Sequence, residues 1–259
     1  MVARRPSRAA RRAEIVRPPA APTERVQAVD ALRGLAIIAM IVYHFAFDLR
    51  FFGVTRADFE NDPFWLTARA GIVASFLSIA GISAVLADRA GVRALRFARR
   101  IGEVALCAVL VSMASYFVFP QTFIYFGILH CVAVSLVIAR PLVRHPWLSV
   151  AFGTAIIVAG LVFSHPWFDA RSTSWIGFTT HKPATQDYVP LFPWLGVVLL
   201  GVGAGHALVS NRFRTLAFLQ RSPATLRAMG RHSLAIYMAH QPILMGSLWL
   251  VLKLVRGWR

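Results

Sequence analysis

Apolar residues dominate the chain in long blocks, broken by short stretches of arginine, proline or acidic side chains. Runs of about 17 to 25 such residues, the length that crosses a hydrocarbon layer as a helix, fall at roughly 31–52, 64–87, 101–119, 123–140, 147–163, 191–209 and 232–252. The pattern predicts an all-α fold: a polytopic membrane helix bundle of about seven transmembrane helices. The runs at 123–140 and 147–163 are the shortest. Helices of a large soluble core explain the blocks poorly, because nearly every long one has bilayer-spanning length.

The first block carries polar residues that break its apolar character. Asp30, Arg33, His44 and Asp48 lie on the steps 30, 33, 37, 41, 44, 48, which return to one face of a 3.6-residue helix. Ile38, Ala39, Val42 and Phe45 cover the other sides. Each charge near the centre of a membrane helix costs on the order of 2.5 to 3.5 kcal/mol and faces a cavity or a partner. The stripe therefore reads as the wall of a polar site. At 1.5 Å per residue from Asp30, His44 lies about 21 Å along the helix and Asp48 one turn further. That i+4 spacing lets a carboxylate orient an imidazole. Asp30 and Arg33 either pair or present the guanidinium to an anionic ligand.

Further histidines occur at membrane depth. His130 lies about two turns into the fourth block and His240 about two turns into the seventh, beside Tyr237 and Gln241. Each alone reads as an interhelical hydrogen bond, but three blocks each bringing a histidine point to a shared cavity. His181 and Asp187 lie in the 164–190 segment just before Trp194, where acceptor recognition and an ordinary solvated loop are both open readings. His206 sits among Gly201, Gly203 and Gly205, a setting for close helix packing, and Glu103 should pair with Arg99 one turn away.

Charge sets the expected orientation. The chain has a formal net charge of +17 and is 57% hydrophobic, with mean hydropathy +0.60. Its arginines recur in the N-terminal tail and in every second loop, around 89–100, 140–144 and 212–231. Those segments are expected to face the cytoplasm of an inner membrane and its anionic headgroups. Asp58, Glu60 and Asp62 mark the opposite side. The basic surplus is thus accounted for without nucleic acid. Residues 1–24 are expected to be a disordered basic tail and 25–259 one transmembrane domain. The first block is too long for the core of a signal peptide, so it should stay as an anchor. Cys107 and Cys131 lack metal-ligand or CxxC spacing; they read as packing residues, and no metal is expected. Walker, GxSxG, HExxH and GxGxxG motifs are also missing, which leaves NTP hydrolysis, serine esterase, zincin and Rossmann chemistry without support.

Taken together, Asp30-Ala-Leu-Arg33-Gly34 and Tyr43-His44-Phe-Ala-Phe-Asp48 resemble the bacterial relatives of lysosomal heparan-alpha-glucosaminide N-acetyltransferase. Phe76-Leu-Ser-Ile-Ala-Gly81, Tyr125-Phe-Gly-Ile-Leu-His130, Asp187-Tyr-Val-Pro-Leu-Phe-Pro-Trp194 and Ser233-Leu-Ala-Ile-Tyr-Met-Ala-His240-Gln241 agree in order, over about 25 to 250. The resemblance implies a membrane enzyme that takes acetyl from acetyl-CoA on the cytoplasmic side and gives it to a sugar amine on the other. Asp30, Arg33 and Gly34 are then the expected acyl-CoA residues, and His130, His240, Gln241, Tyr237, His181, Asp187 and Trp194 the expected cavity or acceptor residues. The lysosomal enzyme carries its implicated histidine between the first helix and the second, where this chain has none. The base is therefore assigned on local chemistry to His44, with Asp48 orienting it, and an acetyl-histidine route stays open. Lipid, a small acyl donor and a sugar-like acceptor are the expected partners, and self-association is open. A transporter using the histidines as a proton relay is the alternative class.

Overall fold

The computed structural model describes residues 26–256, so the expectation for the 1–24 tail lies outside the described residues. Among them the chain is all helical. The long helices are α1 (Gln27–Phe51), α2 (Pro63–Arg89), α3 (Ala94–Val118), α6 (Leu191–Ser210) and α9 (Ser233–Arg256). All five are long and apolar enough to cross a membrane, and α4 (Ile128–Ala139) and α5 (Pro146–Val162) are shorter apolar helices. Two short helices, α7 (Ala217–Gln220) and α8 (Ala224–Arg231), lie between α6 and α9.

Local chemistry explains where several helices begin and end. Asp62 caps α2, its carboxylate accepting from the Phe64 N–H at 2.8 Å, with Pro63 in the first helical position. Pro146 opens α5 in the same way. α2 stops before Gly91, which takes the left-handed φ of +65°.

The 123–140 block does not form one helix. α4 starts only at Ile128, and residues 123–127 are irregular. Apolar composition alone suggested a helix from 123, but side chains here offer the backbone other partners. Ser112 Oγ donates to the Ile124 carbonyl at 2.5 Å, Ser115 Oγ accepts from the Ile124 N–H at 2.9 Å, and Thr185 Oγ1 donates to the Phe123 carbonyl at 2.8 Å. Irregular backbone is tolerated at membrane depth where neighbouring protein satisfies it in this way.

The main core lies where α2, α4 and α6 meet, around Val73, Leu77, Cys131, Leu195, Val198 and Leu199. α2 and α6 approach closely: a Cβ on Gly81 would strike the Val198 carbonyl, and one on Gly201 the Ser78 carbonyl. This is the small-residue packing expected where lipid supplies no hydrophobic drive. α1 lies against α2, α8 and α9. Two polar links mark one end of the bundle: Arg144 to Asp88 at 3.0 Å, and His206 Nε2 donating to the Val143 carbonyl at 2.8 Å. His206 thus has the packing role read from its sequence setting, and Glu103 pairs with Arg99 at 3.3 Å. This end is called the arginine face, and the end carrying residues 164–190 the loop face.

Candidate functional site

The polar stripe of α1 meets α9 inside the bundle. The His44 and His240 rings lie 4.9 Å apart between centroids at an interplanar angle of 61°. One turn along, Gln241 Nε2 donates to Asp48 Oδ1 at 2.6 Å. Asp48 is 1% exposed and His240 8%. Among the described residues, Asp48 Oδ2, His240 Nε2 and Gln241 Oε1 are buried without a hydrogen-bond partner. A buried polar atom left unpaired is costly, so three together mark a place suited to a polar ligand. Pro242 follows directly in α9 and gives no N–H to the carbonyl one turn back.

The anticipated link from Asp48 to His44 is not formed. The carboxylate bonds across helices to Gln241, and His44 stacks edge-on with His240. An i+4 spacing brings two side chains within reach, but α9 supplies a closer donor. On the loop-face side His44 is bordered by aromatic rings: Tyr43 lies 5.9 Å from it, and Tyr43 in turn packs on Phe59 at 5.4 Å and Trp65 at 5.8 Å. Tyr237 stands 5.5 Å from His240 on the same helix.

His130 is placed differently from the expectation. Because α4 begins at Ile128, the imidazole belongs to the first turn, where Nδ1 accepts from the Gly127 N–H at 3.2 Å and Nε2 lies 3.3 Å from Ser112 Oγ. It ties the irregular segment to α3 and stacks near Phe126. Asp187 completes this helix start, its Oδ2 accepting from the Ile128 N–H at 2.9 Å. A carboxylate at a helix N-terminus is favoured by the aligned backbone dipoles. Burial nonetheless pushes the Asp187 carboxyl above the usual carboxylate range, against the opposing pull of the Ile128 N–H and of Arg69. Asp187 is thus a half-buried cap for the start of α4.

His181 does not join the histidine pair. It lines a loop-face cleft of about 250 Å³ with Gln121, Tyr125, Asp169 and Arg171, its Nδ1 3.6 Å from Asp169. Trp194 packs against the core of α2, α4 and α6.

At the other end of the stripe, Arg33 bonds Asp30 at 3.1 Å and Ser83 Oγ at 2.6 Å. The guanidinium side chain is 24% exposed and the Asp30 carboxylate 6%. Gly34 makes no opening for a ligand along its Cβ direction, because the Leu226 carbonyl of α8 fills it; Gly230 meets the Asp30 carbonyl in return. Gly34 thus lets α1 and α8 pack closely.

Sequence reasoning missed Arg69, six residues into α2 and close enough to Tyr43, Lys182 and Asp187 to act on each electrostatically. A cation within an apolar block was the available signal, the same one that exposed the α1 stripe. Ser83, which bonds Arg33, carried no signal in sequence.

The profile of the heparan-alpha-glucosaminide N-acetyltransferase catalytic family matches residues 25–242. The chain belongs to this family. Its long apolar helices and this membership identify an integral membrane protein of acetyltransferase type. Comparisons with curated proteins and with solved structures gave no match. The family's matched span runs from just before the α1 stripe to just beyond Gln241, so both partners of each α1–α9 contact lie within it.

Proposed function

We propose that the chain transfers an acetyl group from acetyl-CoA, entering from the arginine face, to a sugar or other cell-envelope acceptor at the loop face. On this reading the arginine face is cytoplasmic and the membrane is the inner membrane, in keeping with the arginine-rich alternate loops. The exposed apolar side chains of α3, α5 and α9, such as Leu106, Leu161 and Leu254, would meet lipid.

The observation that carries the reading is the meeting of His44 with His240 beside the Asp48–Gln241 bond, deep in an apolar bundle. The residues present suit a long ligand with a charged head. Arg33 stands at one end of the α1 stripe, partly exposed, and unpaired polar atoms stand at the other. When bound, acetyl-CoA supplies the activated thioester. His44 takes the proton of the attacking amine or hydroxyl, a role for which a positioned imidazole typically gives about 10² to 10⁴ in rate. Tyr43, Phe59 and Trp65 restrict water on the loop side.

Thermal-shift and acetyl-CoA turnover measurements on purified protein test the proposal. Stabilisation by acetyl-CoA with slow release of CoA is the expected result. Proton or solute flux in liposomes with no dependence on thioester would replace it with the transport reading.

A further inference from the structure

His240 is held by its own helix. Its Nδ1 lies 2.6 Å from the carbonyl oxygen of Tyr237, three residues back. A carbonyl only accepts, so Nδ1 carries the hydrogen; a neutral imidazole has one N–H, and Nε2 is left with its lone pair. That atom is buried without a partner among the described residues, and the ring it belongs to faces His44. A histidine serving only to join helices would spend this nitrogen on a neighbour.

The other ionisable groups around the pair are differently engaged or differently placed. On α1, Asp48 takes its bond from Gln241, and Tyr43 lies edge-on to His44. On α9, Tyr237 contributes its carbonyl to His240 and its ring to the same contact. Arg69 of α2 acts on Tyr43 and Asp187. His130 of α4 is bonded to Gly127 and Ser112.

We propose that His240 is a positioning residue for the reaction, fixed in the Nδ1–H tautomer by the Tyr237 carbonyl so that Nε2 receives the proton that His44 takes from the acceptor. The inference rests on the transferase reading above. In the balanced step the acceptor nitrogen or oxygen bonds the acetyl carbon and the carbon–sulfur bond breaks. The acceptor proton passes to His44; once the two rings turn from their present edge contact into hydrogen-bond reach, it passes from the second ring nitrogen of His44 to His240 Nε2 and returns through the pair to the sulfur of the departing thiol. No oxidant or further reactant is needed.

The test joins a spectrum to a rate. In protein labelled with ¹⁵N-histidine and assigned through His240→Gln, the His240 resonances should show a protonated Nδ1 and a bare Nε2. His240→Asn keeps a donor for the Tyr237 carbonyl but has no base. It should lose about 10² or more in single-turnover transfer while still being stabilised by acetyl-CoA. In His240→Gly, added imidazole should restore part of the loss. A protonated Nε2 in the spectrum, or a full rate in both the Asn and Gln variants, overturns the proposal. If wild-type protein neither binds acetyl-CoA nor transfers acetyl, the transferase reading fails and takes the relay with it. The tautomer measurement then still reports whether the geometry of His240 was read correctly.

Discussion

Gln241 reaches Asp48 across 2.6 Å, joining residues 193 positions apart in the chain and clamping α9 to α1 beside the paired histidines. Side-chain hydrogen bonds between membrane helices average about 0.6 kcal/mol in double-mutant cycles, with a maximum near 1.7. This one involves a buried carboxyl, so the coupling between Asp48→Ala and Gln241→Ala should fall in the upper part of that range. Reversible unfolding of the two single variants and the double variant in detergent measures it. A coupling near zero would show that the bond does not hold the two helices together.

α8 is expected to be fixed to α1 through glycine. Gly34→Leu should destabilise the protein by about 1 to 3 kcal/mol or more, because the new side chain strikes the Leu226 carbonyl as well as the Leu226 side chain, and the backbone cannot step aside as a side chain can. Gly71→Ala, where nothing lies within 4 Å, is the control and should be neutral or slightly stabilising. Equal stability of the two variants would argue against the close α1–α8 contact.

The helix bundle was legible in the sequence because its main signal is additive: seven apolar blocks each exceed or approach the length of a span. The α1 stripe was legible for a related reason, since ionisable groups stand out against Leu, Ile and Val. What failed was local. Residues 123–127 look helical by composition, and only Ser112, Ser115 and Thr185 reveal that the backbone of Phe123 and Ile124 is bonded elsewhere, while Asp187 caps the helix start at Ile128. His130 changed role with that boundary. The Asp48–His44 assignment failed because spacing along one helix says what can meet, whereas the partner actually taken, Gln241, came from another helix.

Asp187 provides a pH test. Its carboxyl titrates above the usual carboxylate range in the folded protein because it is buried, so the folded state holds this proton more tightly than the unfolded state does. Stability from this group is present at low pH and lost as pH rises through the raised value. Asp187→Asn keeps an acceptor for the Ile128 N–H without the charge. Its stability relative to wild type should therefore rise from pH 4 to pH 8. Asp187→Ala should be less stable by about 0.5 to 2 kcal/mol, as for loss of a helix cap. Thermal unfolding across that pH range decides, and a flat Asn-to-wild-type difference would contradict the assignment.

Orientation is tested at Ser172, an exposed residue of the loop face. In a chain with Cys107 and Cys131 replaced by alanine, Ser172→Cys should react with an impermeant maleimide in intact cells. Reaction only after permeabilisation would place the loop face in the cytoplasm and reverse the proposed direction of transfer.

Single-turnover transfer of labelled acetyl from saturating acetyl-CoA to a panel of amino-sugar and hydroxyl acceptors is the most direct measurement of the central claim, that the α1–α9 histidine pair is the transfer site. Wild-type protein should transfer. His44→Ala should lose about 10² to 10⁴ in rate while keeping its expression and its stabilisation by acetyl-CoA. A His44→Ala variant that transfers at the wild-type rate would contradict the account.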